Sequence, residues 1–318
     1  MLFNKLLDIP VRSGPRPNTA KLDQQLTFKE ENKESNQIVT DSGLPESYLA
    51  TCIRLQNDQV NKVRATSDYI HVSSLIGMCP RQYALMAQMG DVLGDRIGTA
   101  HQVMWALGRA AENHIRDSYI RHVDFKGVLG RWTCRCGSSI HEGRYESDLQ
   151  CGTCKTVLDR YREFVLVDEE CGVIGSPDLV FELNGKVYVV ECKSIKGGEG
   201  TNAHKGFDAL DMPLGDHVFQ ARMYTHLLKL AGYDVADELI IIYVNKDFQI
   251  RNDRVLKEFH VDVSAPEHQA AIDRALFEAK EVMDYLRGKG PLPERVLCED
   301  DSGARATKCP AATRCFSI

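Results

Sequence analysis

Long hydrophobic runs are missing from this sequence. No stretch approaches the ~20 consecutive apolar residues that a membrane-spanning helix needs, and the apolar content of 43% is ordinary for a globular protein. The segment Met1–Ile9 is mildly apolar, but it is too short for the core of a signal peptide and a polar stretch follows it. The composition therefore predicts a globular, cytoplasmic protein that does not enter a membrane.

An excess of basic residues is missing too. The chain has 39 Lys and Arg against 45 Asp and Glu, and its formal net charge is −6. A protein that coats nucleic acid through a broad basic surface is therefore disfavoured, whereas a local site where metal ions offset acidic side chains stays open. No glycine-rich loop ends in Lys-Ser or Lys-Thr, so the sequence holds no helicase motor of the Walker type.

Cysteine, by contrast, is abundant, with eleven residues. Because no secretory signal accompanies them, we expect metal ligands rather than disulfides. Two pairs lie close together, Cys134-x-Cys136 and Cys151-x-x-Cys154, and such knuckles are typical of a tetrahedral Zn²⁺ site in a zinc ribbon. Two roles stay open for this site: contact with DNA or a partner, or the folding of a small insertion that lacks its own core.

The dipeptide Asn184-Gly185 predicts a two-residue β-hairpin, because a type I′ turn needs positive φ at both central residues. The register that this turn sets places Leu183 opposite Lys186. Counting outward along both strands brings Asp178 opposite Glu191. Directly opposed like charges are destabilising, and two carboxylates so placed either share a proton or hold a cation.

Lys193 follows Glu191 on the same strand face, because side chains alternate along a strand with a period of two. A carboxylate pair and an ammonium group thus converge at the end of an apolar strand. Hard divalent cations prefer oxygen ligands and retain water molecules. The hairpin therefore predicts a site for a divalent metal ion and a water.

Hydrophobic periodicity predicts the surrounding elements. They are a helix over 101–122, strands over 161–167, 174–183 and 186–193, a helix over 217–231, a strand over 238–244 and a helix over 266–286. In the first helix, Val103, Leu107 and Ile115 are expected to face the core. The long segment over 195–216 is expected to form an active-site or substrate loop.

This order of elements and three short motifs resemble the PD-(D/E)XK nucleases. The segment Gly175-Ser-Pro-Asp178 resembles the G-x-P-D motif, and Glu191-Cys192-Lys193 resembles the E-x-K motif. The segment Gln220-Ala-Arg-Met-Tyr224 resembles the Q-x-x-x-Y motif of the RecB/AddB-like branch. The resemblance covers roughly residues 79–315 apart from the cysteine module, and the chain is similar to CRISPR-associated iron–sulfur exonucleases.

The resemblance implies an α/β fold with a restriction-endonuclease-like core, in which helices flank a mixed central sheet. We expect a zinc-ribbon insertion in this core and a helical region stapled by an iron–sulfur cluster. The expected segments are a flexible or loosely packed extension (1–65), a helical region (66–130), the zinc ribbon (131–156), the nuclease core (157–290) and a cluster-binding tail (291–318).

The resemblance also implies catalytic roles for the hairpin and a later helix. Asp178, Glu191 and the main-chain carbonyl of Cys192 would bind Mg²⁺ or Mn²⁺. Lys193 would orient or deprotonate the attacking water and stabilise the charged phosphate. Gln220 and Tyr224 lie one helical turn apart and would brace the site and touch the DNA strand.

A further metal ligand is expected from the helix that precedes the sheet. The family places either Glu or His there, and the segment Gly108-Arg-Ala-Ala-Glu112 matches the Glu version. His114 competes with Glu112 for this role, and His101 is a weaker competitor.

A second cysteine group is expected at the two ends of the resemblance. The segment Cys79-Pro-Arg-x-Tyr-x-Leu85 looks like the first cluster cysteine of AddB-type and CRISPR-associated exonucleases. The resemblance implies that Cys79, Cys298, Cys309 and Cys315 hold a [4Fe–4S] cluster. The spacing departs from the usual C-x₂-C-x₅-C tail, because ten residues separate Cys298 from Cys309. A zinc site or a lost cluster therefore stays open.

The function expected from this resemblance is that of a metal-dependent DNA exonuclease. It would hydrolyse phosphodiester bonds at DNA ends or in single strands during recombination, repair or replication, with a helicase or another protein of those processes as a partner. The host would be a bacterial, archaeal or virus-infected cell. Two alternatives stay open: a structure-specific or guide-directed endonuclease on the same fold, and a non-catalytic DNA-binding scaffold.

Overall fold

The structure is a computed structural model, and it describes residues 68–89, 99–122, 127–195, 206–246 and 255–318. The predicted N-terminal extension over 1–65 lies outside the described residues. Residues 196–205 of the predicted substrate loop lie outside them as well.

The three helices whose bounds the sequence pattern predicted, over 101–122, 217–231 and 266–286, are present within two residues of those bounds. The described residues form six α-helices. They are α1 (Val72–Leu75), α2 (Pro80–Gln88), α3 (Thr99–His122), α4 (Gly215–Leu230), α5 (Pro266–Leu286) and α6 (Ala312–Ser317). Pro80 and Pro266 open α2 and α5, where a missing N–H removes no helical hydrogen bond. None of the described helices is long and apolar enough to cross a membrane.

The strands form two sheets. They are β1 (Ile70–His71), β2 (Val128–Thr133), β3 (Ile140–Arg144), β4 (Arg160–Arg162), β5 (Leu166–Asp168), β6 (Val173–Gly175), β7 (Leu179–Leu183), β8 (Lys186–Ile195), β9 (Glu238–Asn245) and β10 (Leu256–Asp262). The central sheet has the order β10-β9-β8-β7-β2-β3, with β4 also paired to β2, and the small sheet has the order β1-β6-β5.

The central sheet is mixed, since β8 and β9 are parallel and its other paired strands are antiparallel. Helices α3 and α4 pack on β8, and α4 also packs on β9. The expected fold class, a mixed α/β fold with helices around a mixed central sheet, is therefore confirmed.

Two predicted strands are wrong in their extent, because each divides between the two sheets. The predicted strand over 174–183 becomes β6 in the small sheet and β7 in the central sheet. Pro177 lies at this break, and proline cannot donate a ladder hydrogen bond. The predicted strand over 161–167 divides in the same way into β4 and β5. Asp178 thus stands directly before the chain enters the central sheet.

Helix α3 presents only part of the expected face to the core, because Ile115 packs there as expected but two other residues do not. Val103 and Leu107 are 37% and 62% exposed, whereas Gly108 is buried. A Cβ added at Gly108 would lie only 2.9 Å from the Ser194 Oγ atom of β8. The lack of a side chain lets the helix approach β8 closely, and this contact rather than apolar periodicity sets its orientation.

The sequence pattern does not predict β10, and it does not predict that β2 and β3 belong to the central sheet. Strand β10 is an antiparallel edge strand whose residues are exposed or only half-buried, so it carries no buried apolar run. Strand β2 pairs with β7 on one side and β3 on the other. The first knuckle of the cysteine module therefore follows a core strand directly.

Candidate active site and cysteine clusters

The predicted hairpin is present with the predicted register. Asn184 and Gly185 have φ values of 53° and 80°, as a type I′ turn requires. Leu183 pairs with Lys186, and the pairing continues outward to the end of β7. The next pair in this register is Asp178 and Glu191, so the turn delivers the two carboxylates to one place.

The Asp178 carboxylate is held by the neighbouring strand. The Cys192 N–H donates a 2.7 Å hydrogen bond to Asp178 Oδ2. Burial raises the pKa of Asp178, while the positive charge of Lys193 acts in the opposite direction. Gly175 lies three residues before Asp178, at the end of β6. A Cβ at Gly175 would meet the ring of Tyr224 on α4 at 2.7 Å, so glycine is needed where β6 passes α4.

Glu191 is 1% exposed, and its two oxygens differ in their surroundings. Glu191 Oε1 forms an ion pair with the Lys193 ammonium. Glu191 Oε2 is buried and has no hydrogen-bond partner among the described residues. Burial, and secondarily the charge of Asp178, raises the pKa of Glu191 well above its ordinary value. A buried acceptor without a donor, beside a second carboxylate, is suited to a hard cation.

The Lys193 side chain is mostly buried, with 22% of its surface exposed. Burial alone would lower its pKa, but the charges of Glu191 and Asp178 outweigh burial and raise the pKa. The Lys193 ammonium group thus keeps its positive charge beside the Glu191 and Asp178 carboxylates.

Glu112 belongs to the same electrostatic group, whereas His114 is exposed. Burial and the charge of Asp178 raise the pKa of Glu112, and Lys193 and Lys246 counteract them. Glu112 Oε1 lies 3.9 Å from the position that a Cβ of Gly108 would take. The side chain of His101 is outside the described residues. Glu112 therefore lies close enough to Asp178 and Lys193 for their charges to act on it, and its role as a metal ligand stays a prediction.

Helix α4 contributes Gln220 and Tyr224, both of which are buried. Gln220 Nε2 donates a 2.8 Å hydrogen bond to the Tyr224 hydroxyl. Burial and the nearby Glu191 charge raise the pKa of Tyr224 well above its ordinary value. Gln220 and Tyr224 therefore form one hydrogen-bonded pair on α4, and their bracing role stays a prediction.

The structure also brings a histidine to the site that the sequence pattern did not select. His217 lies one turn before Gln220 on α4, and its Nδ1 atom is 2.9 Å from the Tyr243 hydroxyl. Tyr243 pairs with Lys193 in the parallel register of β8 and β9. No motif marks His217, because its contact depends on the pairing of strands that are distant in sequence.

Two further charged groups lie at the edges of the site. Lys246 follows β9, and its Nζ atom is 3.6 Å from the position that a Cβ of Gly108 would occupy. Arg116 donates a 2.9 Å hydrogen bond to Glu163 and lies over the Tyr161 ring at 5.4 Å. The sequence pattern did not predict the contact between Arg116 and Glu163, because nothing local connects the two residues.

The predicted zinc ligands are gathered in one group. The ligand atoms of Cys134, Cys136, Cys151 and Cys154 all lie within 4.8 Å of one another, and no other such group is found among the described residues. Tetrahedral coordination by four thiolates at about 2.3 Å requires sulfur atoms roughly 4 Å apart. The group can therefore hold a metal ion.

Local hydrogen bonds prepare this group for metal binding. The Ser139 hydroxyl donates to Cys151 Sγ at 3.3 Å, and the Ser138 hydroxyl is 3.2 Å from the same sulfur. Hydrogen bonds from these two hydroxyls lower the pKa of Cys151 to about 4, and the bond from Ser138 has the larger effect. Cys134 and Cys151 are also buried. A thiolate is thus favoured at a buried position, which suits a metal ligand.

The second predicted cysteine group converges as well. Cys79, Cys298, Cys309 and Cys315 line one small cavity between α2 and the C-terminal tail. Arg81 Nε donates a 3.2 Å hydrogen bond to Cys315 Sγ, and Arg305 also lines the cavity. Cys79 thus lines the same cavity as three cysteines that stand more than 200 positions later in the chain, with positive charge beside them.

No protein-family model matches the chain, and no curated protein matches it. Among solved structures, the chain is similar to the alkaline exonuclease LHK-Exo from Laribacter hongkongensis, with 13% sequence identity and a TM-score of 0.39 over 73% of this chain and 97% of that chain. LHK-Exo in complex with dAMP gives 12% identity and a TM-score of 0.38 over the same shares. TM-scores this low do not support a function for this chain. The description of the site depends only on the geometry of the chain itself.

Proposed function

We propose that the chain is a divalent-metal-dependent deoxyribonuclease of the PD-(D/E)XK type that acts as an exonuclease on DNA ends or single strands. The observation that supports it most strongly is the buried Glu191 carboxylate beside Asp178, one oxygen of which has no hydrogen-bond partner in the part of the chain that the structure describes. An unpaired buried acceptor costs on the order of 1–3 kcal/mol, and more when it is charged. A divalent cation at this place would offset that cost.

Asp178, Glu191 and Glu112 would hold Mg²⁺ or Mn²⁺, with the Cys192 main-chain carbonyl as a further ligand. When bound, the ion would neutralise the phosphate and lower the pKa of a water ligand. Lys193, held against Glu191, would orient or deprotonate this water and stabilise the negative charge that develops on the phosphate. Gln220 and Tyr224 would brace these groups and contact the DNA strand.

We further propose Zn²⁺ in the group of Cys134, Cys136, Cys151 and Cys154. For the other group, four converging thiols with arginines beside them support a [4Fe–4S] cluster bound by Cys79, Cys298, Cys309 and Cys315. The proposed setting is DNA recombination, repair or replication in the cytoplasm of a bacterial, archaeal or virus-infected cell, with a helicase or similar protein as partner.

The test is a cleavage assay with Mg²⁺ or Mn²⁺ on end-labelled linear single-stranded and double-stranded DNA and on a closed circle. Lys193→Ala should abolish cleavage of the linear substrates. Lys186→Ala is the matched control, because Lys186 stands on the same strand but pairs with the exposed Asp234 at the turn.

Each outcome separates the candidates. Cleavage of linear DNA alone, lost in Lys193→Ala and kept in Lys186→Ala, would support the exonuclease. Cutting of the circle would favour the endonuclease on the same fold. Intact metal clusters without cleavage of any substrate would favour the DNA-binding scaffold.

A further inference from the structure

His217, Gln220 and Tyr224 lie along one stripe of α4, at spacings of three and four residues that share a helix face. Helix α4 packs on β9 and on β8, the strand that carries both Glu191 and Lys193. Gln220 and Tyr224 are bonded to each other, whereas His217 is bonded to β9. His217 is therefore held by a hydrogen bond to β9 that is separate from the bond between Gln220 and Tyr224.

The hydrogen bonds of Tyr243 fix the proton of His217. Tyr243 is fully buried, and its hydroxyl accepts the Leu214 N–H at 3.0 Å. A buried hydroxyl also needs an acceptor for its own proton, and His217 Nδ1 lies 2.9 Å away. Tyr243 therefore donates to Nδ1, and a neutral His217 ring carries its hydrogen on Nε2.

The surroundings of His217 keep its ring neutral. Burial lowers its pKa to about 4, and the positive charge of Lys193 adds to this effect, while Asp216 opposes it. His217 is only partly buried, and it lies close enough to Lys193 for the ammonium charge to act on its pKa. His217 is therefore a neutral hydrogen-bond donor with a fixed orientation, close to the positive charge of Lys193.

We propose that His217 Nε2–H donates a hydrogen bond to a non-bridging phosphate oxygen of the bound DNA strand, and that Tyr243 sets the tautomer that makes this contact. The ligand chemistry is a phosphodiester anion that also faces Lys193. This inference rests on the proposed nuclease function. It makes His217 a substrate-binding residue that fixes the position of the strand over the metal site.

The test compares two substitutions that divide the roles of the ring. His217→Asn can keep the contact of Nδ1 with Tyr243 but removes the Nε2 donor, whereas His217→Gln places an amide N–H near the Nε2 position. Binding of an end-labelled single-stranded oligonucleotide is measured by fluorescence anisotropy with Ca²⁺ in place of Mg²⁺. KM and kcat are measured separately with Mg²⁺.

A hydrogen bond to a charged group predicts that His217→Asn weakens DNA binding and raises KM by roughly tenfold or more, with a smaller change in kcat. His217→Gln should recover most of the affinity, and Tyr243→Phe should lose part of it. The control is His226→Asn, because His226 is a partly buried histidine of the same helix that faces Asp168 and Asp273 instead.

Wild-type affinity and KM in His217→Asn would overturn the proposal. Equal losses in the Asn and Gln variants, together with lower melting temperatures, would also overturn it, because they indicate a structural role. A wild type that binds DNA through His217 without cutting it would contradict the proposed nuclease function alone, so the two failures are distinguishable.

Discussion

The Glu191 carboxylate is shielded from solvent. Lys193 forms an ion pair with one of its oxygens, and the other has no hydrogen-bond partner among the residues described. Lys193 and the Cys192 N–H, which is bonded to Asp178, come from the same strand as Glu191. Strand β8 thus supplies both an acidic group and the charges that make its burial tolerable. A buried carboxylate arranged in this way forms a binding site, but it lowers the stability of the metal-free protein.

His217 gives a prediction about pH. Its pKa falls from 6.5 to about 4 on folding, so between these values the unfolded chain binds more protons than the folded protein. The contribution of His217 to stability is therefore complete above pH 6.5 and is lost as pH falls towards 4, by at most about 3 kcal/mol. Urea unfolding at several pH values should show a shallower loss in His217→Gln than in the wild type. Equal slopes would contradict the buried, neutral state.

The hairpin shows what local sequence can determine. The pair Asn184-Gly185 sets the turn, and the period of two then sets the register, so the pairing of β7 with β8 was predictable without knowledge of distant residues. The contact between His217 and Tyr243 was not, because it requires the parallel pairing of β8 with β9 across an intervening helix. The pairing of Arg116 with Glu163 depends in the same way on tertiary packing.

At the scale of elements, the packing of α3 on β8 depends on Gly108. Alanine normally stabilises a helix interior by about 1 kcal/mol relative to glycine, but here its Cβ would meet Ser194 Oγ at 2.9 Å. We expect Gly108→Ala to lower both activity and the free energy of unfolding, because the helix and Glu112 must move away from β8.

A double mutant tests this explanation. In the background of Ser194→Ala the contact is removed, so Gly108→Ala should be more favourable than in the wild type by roughly 1 kcal/mol. The free energies of unfolding of the four proteins provide the measurement. Additive effects would show that the close approach of α3 does not limit the substitution.

The group of Cys134, Cys136, Cys151 and Cys154 packs against the central sheet. Cys134 and Cys151 share a buried cluster with Leu179 of β7 and Val190 of β8. We expect zinc removal by a chelator, or Cys151→Ser, to lower the melting temperature by several degrees and to reduce cleavage, since metal binding contributes to folding. Cys171→Ser is the control. An unchanged melting temperature after complete zinc loss would contradict this role.

The strand boundaries show where element prediction failed. Residues 174–183 look continuous in sequence, but the chain changes sheets at Pro177. Strand β10 was missed because its buried partner β9 supplies the apolar contact, and β10 itself is an edge strand. Both errors concern the pairing of elements, which the local pattern does not contain.

At the scale of the whole molecule, the C-terminal tail returns to α2. Arg81 Nη1 donates to the Pro293 carbonyl at 3.0 Å, and Arg314 Nη2 donates to Gln88 Oε1 at 3.1 Å. Four cysteines close the same junction. The resemblance of short motifs allowed this long-range junction to be predicted, which composition and periodicity alone would not have done.

The proposed iron–sulfur cluster at this junction would have a measurable signature. Protein purified without oxygen should contain roughly four iron and four sulfide per chain with visible absorption, and Cys309→Ser should lose them. The tail over 291–318 should then become sensitive to limited proteolysis, whereas Cys171→Ser should leave it protected. One bound zinc in place of iron would favour the zinc alternative, and no metal would indicate a lost cluster.

The most direct test of the central claim is calorimetric titration of the protein with Mn²⁺. The wild type should bind the ion, and saturation at 100 times Kd should stabilise it by about 2.7 kcal/mol. Glu191→Gln should lose both effects, while Glu182→Gln, a change on β7 at a residue paired with Arg144, should keep them. Mn²⁺ binding that is unchanged in Glu191→Gln, or absent from the wild type, would contradict a metal site at the carboxylate pair.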